Sequence, residues 1–202
     1  MIRAQVELPS PCYEGPRIGG NNAWIGRPAD SWWLYAAGYK KAADILVDHI
    51  ALQQRDQDTL VYPILFLYRQ HIELRLKHLA KDACSLLEEE FQLTVTHNLD
   101  PLWRSLRKHV SAIEAKFGAM GDQAVLDEAE RILLALGAID PKGKTFRYPE
   151  SIKGESHRPN VPHINVRHFR DEIEKLTELL EGIDTHLGVL RDMRSDWLSS
   201  LY

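Results

Sequence analysis

Cysteine is nearly absent from this chain. Only Cys12 and Cys84 occur, far apart and in no C-x-x-C pair, so the sequence offers neither a disulfide framework nor a cysteine-rich zinc cluster. Any apolar run approaching the roughly 20 residues that span a bilayer is also missing. The greasiest stretch, Leu60 to Tyr68, is interrupted by Pro63 and followed by Arg69. The first residues, Met1 to Glu7, lack the apolar core of a signal peptide, and the expectation is a cytoplasmic chain with no membrane contact. A large excess of one charge is absent too. The 25 Lys and Arg set against 29 Asp and Glu leave a net charge of −4, which argues against a basic surface over the whole molecule but leaves room for a local basic patch. No GxxxxGKS/T, GxGxxG or GxSxG segment occurs, so P-loop, dinucleotide-binding and α/β-hydrolase chemistry are unsupported and no cofactor is expected. His157, His163 and His168 come near one another without HExxH spacing or a convergent carboxylate or cysteine, and no metal site is expected.

What is present is helical patterning. The 202 residues, 44% of them hydrophobic, suit one domain, 1–202, with a sizeable core. Residues 1–30 hold Pro9, Pro11, Pro16 and Pro28 among several glycines and read as a loop-rich N-terminal arm, with Trp24 and Ile25 to pack it. A first helix, capped by Asp30 or Ser31, carries Trp32, Tyr35, Tyr39, Ala42, Leu46 and Ile50 and fades near Gln54. A second is expected from about Asp58 to Ala80, with Leu65, Tyr68, Ile72, Leu76 and Leu79 as its apolar stripe and Pro63 near its start. Asp100 and Pro101 suit the cap and first position of a third helix that Gly118 stops, and Gly121-Asp122 opens a fourth that Gly137 closes. The last helix is expected from about Asn165 to Trp197. Its long apolar stripe calls for packing along the whole domain or against a second copy of the chain. The predicted fold is all-α, a bundle of about five helices with a long C-terminal helix. Before that helix lies the longest irregular stretch, 138–163, of the length at which loops are functional or mobile.

Two constellations carry chemistry. On the second helix Arg69, Glu73 and Lys77 follow at four-residue steps among His71, Arg75 and His78. Either this is a solvated charged face with an internal ion pair, or it is a polar face turned into a bundle or dimer groove. His97, ahead of the third helix, is expected to hydrogen-bond a neighbouring helix, with Glu73 as its partner. The second constellation is basic. Between 142 and 170 lie Lys142, Lys144, Arg147, Lys153, Arg158, Arg167 and Arg170 with three histidines, against only Glu150 and Glu155. Phe146, Tyr148 and Phe169 are interleaved. Cations alternating with aromatics suit phosphate contacts and base stacking, and the alternative is a solvated loop pinned to the body by its aromatics.

Gln70, Glu73, Leu76 and Lys77, followed by His97, Leu99 and Leu102, resemble the signature of the HEPN superfamily, the higher eukaryotes and prokaryotes nucleotide-binding domain. Asp140 to Gly154, with Phe146-Arg147-Tyr148-Pro149, resembles a loop of an uncharacterised bacterial branch of it. The resemblance spans roughly residues 60–190 and implies a helical bundle that forms a homodimer. Many such proteins are ribonucleases of phage-defence or toxin–antitoxin systems, and others are non-catalytic partners of a protein encoded nearby. The catalytic ones carry Arg, four to six residues, then His, and cleave RNA through its 2′-hydroxyl without metal. Two matches occur here, Arg104/His109 and Arg158/His163. Arg104 and His109 would lie on different faces of one helix. Arg158 and His163 precede the final helix, where the family motif is expected, although Pro159 and Pro162 stiffen the interval. The resemblance therefore implies Arg158 and His163 as catalytic residues of an endoribonuclease. It implies Arg69, Glu73, Lys77, His97, Lys144, Arg147, Tyr148 and Arg167 as residues that bind RNA or a nucleotide. The other readings are a binding module without catalysis and a dimerising scaffold.

Overall fold

The computed structural model describes residue 23 and residues 31–91, 96–118, 121–151, 153–157, 159 and 161–199. Ala23 apart, the expected arm of residues 1–30 lies outside the described residues. Five helices occur among the described residues: α1 (Ser31–Gln53), α2 (Gln57–Leu87), α3 (Leu99–Phe117), α4 (Gln123–Ile139) and α5 (Val166–Ser199). The only pairing of extended backbone described is one antiparallel bridge between Glu150 and Ser156. The fold is thus the all-α bundle that the apolar spacing predicts. No described helix is long and apolar enough to cross a membrane.

Helix α2 is the hub. It packs on α3 and α5, and α4 closes a four-helix ring by packing on the same two. Ile64, Tyr68, Ile72, Leu76, Leu79 and Ala83 of α2 are buried against Leu102, Trp103, Leu106 and Ile113 of α3 and Ile173, Leu176, Leu180 and Leu187 of α5. Each set recurs at three- and four-residue steps, so each helix turns one stripe to the common interior. Helix α1 lies against this ring through Ala36, Ala43 and Val47, and polar contacts fix it there. Tyr68 donates its hydroxyl hydrogen to Asp44 Oδ1 at 2.7 Å, Lys40 pairs with Glu174 at 2.6 Å, and Arg170 pairs with Asp48 at 2.9 Å.

Several element ends differ from expectation. Helix α2 continues past Ala80 to Leu87 because Ala83, Cys84 and Leu86 keep its buried stripe going through charged neighbours. It stops where Glu88 turns left-handed at φ 60°, letting the Glu88 and Glu89 amides bond back to Ser85 and Cys84. Pro63 lies inside the helix, one turn beyond its start at Gln57. Helix α3 begins at Leu99, with Asn98 at the cap position, and Asp100 instead pairs with Arg104 at 2.9 Å. Helix α4 runs through Gly137 to Ile139. The glycine is tolerated there because buried Leu136 anchors the turn and the Asp140 amide continues the ladder to its carbonyl. At the start of α5, Asn165 Oδ1 accepts from the amides of Arg167 and His168, both at 3.1 Å.

Candidate functional site

The charged face of α2 is not solvated. Arg69, His71, Glu73, Arg75 and Lys77 are all buried, Arg69 and Glu73 at 2% exposure each. Turned into the bundle, Glu73 gathers two of them, while His71 bonds the Ala36 carbonyl and Thr177 and Arg75 pairs with Asp184. Glu73 Oε1 accepts from Lys77 Nζ at 2.7 Å and from His97 Nδ1 at 2.9 Å, and Glu73 Oε2 lies 3.6 Å from Arg69 Nη1. The predicted His97–Glu73 bond is present. Arg69 Nη2 donates to the His97 carbonyl, tying the start of α3 to α2. Arg69 Nε and Nη1 are buried without a hydrogen-bond partner among the described residues. Burial holds the Arg69 pKa below its ordinary value, while Glu73 and Asp140 oppose that shift. Asp140, itself 2% exposed, is a residue the sequence reading did not single out.

Above this cluster the chain leaving α4 makes a tight turn. Asp140 Oδ1 accepts from the amides of Lys144 and Thr145 at 2.9 and 3.1 Å, an Asx-type closure. Gly143 adopts φ 67°, and a Cβ there would lie 3.9 Å from Arg69 Nη2 and 3.8 Å from His97 Cβ. The turn therefore sits directly on the buried ion cluster. It then presents a platform. Phe146 is buried and pins the loop, whereas Tyr148 is 52% exposed. The Arg147 guanidinium lies 5.5 Å from the Phe66 ring centre and 5.3 Å from that of Tyr148. Its Nη2 lies 3.4 Å from the Tyr148 hydroxyl, and its charge has no ion-pair partner among the described residues. His157 Nδ1 is 3.2 Å from the Tyr148 carbonyl. Tyr62, Phe146, Arg147, Tyr148, His157 and Pro159 line a cleft of about 450 Å³.

The structure thus brings the predicted residues together in two groups: Arg69, Glu73, Lys77 and His97 beneath the turn, and Arg147 and Tyr148 on the platform. Lys144 is exposed on the turn itself. Arg167 lines a different cleft with Val47, Ile50 and Asn165. His163 is exposed ahead of α5, and Arg158 lies outside the described residues. Arg104 pairs with Asp100, while His109 faces Cys84 across the α2–α3 seam, so those two residues do not converge. The platform residues missed in the sequence, Tyr62 and Phe66, belong to α2. Their signal is weak, because an aromatic at a helical step reads as core. No family model, curated protein or solved structure matches the chain.

Proposed function

We propose that the platform of Tyr62, Phe66, Arg147, Tyr148 and His157 binds a nucleotide unit of single-stranded RNA, as the HEPN-like signature on α2 implies for a bacterial defence or toxin-type protein. The observation that carries this reading is the Arg147 guanidinium over the Phe66 and Tyr148 rings, 5.5 and 5.3 Å from their centres, in the lining of a cleft, with no carboxylate paired to it among the described residues. An unneutralised guanidinium offers a phosphate two parallel donors, and exposed Tyr148 offers a base a flat face. Lys144 and Lys153 add positive charge along the same loop. Buried Arg69, Glu73 and Lys77, with the exposed His97 bonded to Glu73, act beneath it as the support of the turn. The homodimer implied by the family signature belongs to the same proposal.

Binding of a labelled mixed-sequence single-stranded RNA, followed by fluorescence anisotropy with EDTA present, tests this. Arg147→Ala and Tyr148→Ala should each weaken binding by roughly tenfold, since a stacked base is worth about 1–3 kcal/mol. Arg131→Ala, within the α4–α5 ion pairs, should leave it unchanged. Absence of binding by the unaltered chain would overturn the proposal. RNA fragments in the same tubes that vanish with Arg158→Ala and His163→Ala would extend it to an endoribonuclease.

A further inference from the structure

We propose that Cys84, Glu89 and His109 form a binding site for a zinc-type divalent cation, with a fourth coordination position open to water or another ligand. The residues come from three places that the fold draws together. Cys84 lies in the last turn of α2, Glu89 just past its left-handed cap, and His109 on the facing side of α3. The cap is what makes the set: φ 60° at Glu88 folds the chain back so that the Glu89 amide bonds to the Cys84 carbonyl at 2.9 Å. The Glu89 side chain then reaches the same seam.

Cys84 Sγ lies 3.7 Å and Glu89 Oε2 lies 3.3 Å from one and the same ring nitrogen, His109 Nε2. That nitrogen has either one hydrogen or one lone pair, which the two neighbours must share. A shared cation serves all three. A tetrahedral zinc ion, with Zn–S of about 2.3 Å and Zn–N and Zn–O of about 2.1 Å, sets sulfur about 3.6 Å from nitrogen and nitrogen about 3.4 Å from oxygen. The observed separations match these edges, and all three donor atoms lie within 4.8 Å of one another. Thiolate, imidazole and carboxylate are a zinc-type donor set, and three protein ligands with one open position is the pattern of reactive zinc sites. Binding would displace the Cys84 thiol proton to solvent. Cys84 is buried and His109 half-buried, while Glu89 is 57% exposed, which gives the ion an entry from solvent.

Two alternatives are disfavoured by geometry. A cysteine nucleophile relay needs the carboxylate on the other ring nitrogen, but His109 Nδ1 is buried with no partner among the described residues. A second convergent set, His78, Asp82 and Asp184, already has its carboxylates paired with Arg191 at 3.3 Å and Arg75 at 3.1 Å. Glu89 has no such competing cation among the described residues.

Cobalt(II) titration of the full chain after chelator treatment tests the site. One equivalent should raise a near-ultraviolet thiolate-to-cobalt band together with the intense visible absorption of a tetrahedral ion. Cys84→Ser, shown folded by circular dichroism, should abolish the thiolate band, and Cys12→Ser should retain it. Outer-sphere partners alone change metal affinity by about 10–100-fold. Glu89→Gln, at an exposed position that leaves folding intact, should weaken cobalt binding by at least that much. No thiolate band in the unaltered chain, a band that survives Cys84→Ser, or an affinity unmoved by Glu89→Gln would each overturn the proposal.

Discussion

At position 73 a carboxylate with 2% exposure faces Lys77, His97 and Arg69 at once. An exposed Glu–Lys pair at this spacing is worth about 0.3 kcal/mol. Buried, its value lies in what is left when one partner goes. Glu73→Ala strands two buried cations and should cost about 3–5 kcal/mol in urea unfolding. A loss below about 1 kcal/mol would mean that water reaches the cluster. His71 makes the complementary case. Its Nδ1 lies 2.9 Å from the Ala36 carbonyl, which only accepts, so Nδ1 carries the hydrogen and Nε2 meets the Thr177 hydroxyl at 3.0 Å. Burial above all, then Arg75 and Lys40, lower its pKa from 6.5 to about 4, against the Ala36 bond and Asp44. The unfolded chain therefore binds the proton more readily than the folded one. Stability from this residue is full above pH 6.5 and is lost as pH falls toward 4, by up to about 3 kcal/mol. Unfolding free energies across that window should slope less in His71→Gln than in the unaltered chain, and equal slopes would show that His71 titrates normally.

Helix ends set the next scale. Asp122 accepts from the Ala124 amide at 2.9 Å at the start of α4, whereas Asn98 at the start of α3 makes no side-chain cap bond. Asp122→Ala should therefore cost about 1 kcal/mol, and Asn98→Ala should stay within about 0.5 kcal/mol, both read from denaturation midpoints. Asp140 does a different task at the end of α4. Its carboxylate holds two amides of the turn that carries Arg147. Asp140→Ala should leave helix content by circular dichroism unchanged while lowering RNA affinity several-fold. Unaltered affinity would separate the turn from the platform. The exposed α4–α5 ion pairs, Glu128 with Arg131 and Lys175, and Arg131 with Glu172, hold the Glu128 pKa down to about 2, yet solvent screening keeps such pairs nearly neutral for stability.

Across the molecule, α2, α3, α4 and α5 form a closed ring with shared apolar stripes, and α1 is added to its side. Helix α1 buries only Ala36, Ala43 and Val47 fully, and Trp33, Tyr35, Ile45 and Leu52 stay exposed. Few buried contacts mean a low local opening energy. Amide hydrogen exchange should accordingly be slowest over Ile64–Leu79 of α2 and faster by orders of magnitude in α1. Equal protection would show that α1 opens only with the whole bundle.

The sequence by itself determined that the chain forms about five helices and which stripe of α2, α3, α4 and α5 turns inward, because apolar spacing is a local property that burial reads directly. For α1 the expected stripe of Trp32, Tyr35, Tyr39, Ala42, Leu46 and Ile50 is not the buried one, since packing against the ring buries the small Ala36 and Ala43 with Val47 and leaves Tyr35 exposed. It also determined that positive charge collects between 142 and 170. It left open whether the charges of α2 face water or the interior, since Arg69, Glu73 and Lys77 share a face in either case. Only packing decided that, by setting the His97 ring and the Asp140 turn over them. The same holds for Cys84, Glu89 and His109. Their spacing matches no linear motif, and they meet because one left-handed residue ends α2 and because α3 crosses it there. Side chains brought together by a helix cap and a helix–helix seam leave no periodic trace in the sequence, so their chemistry becomes visible only in three dimensions.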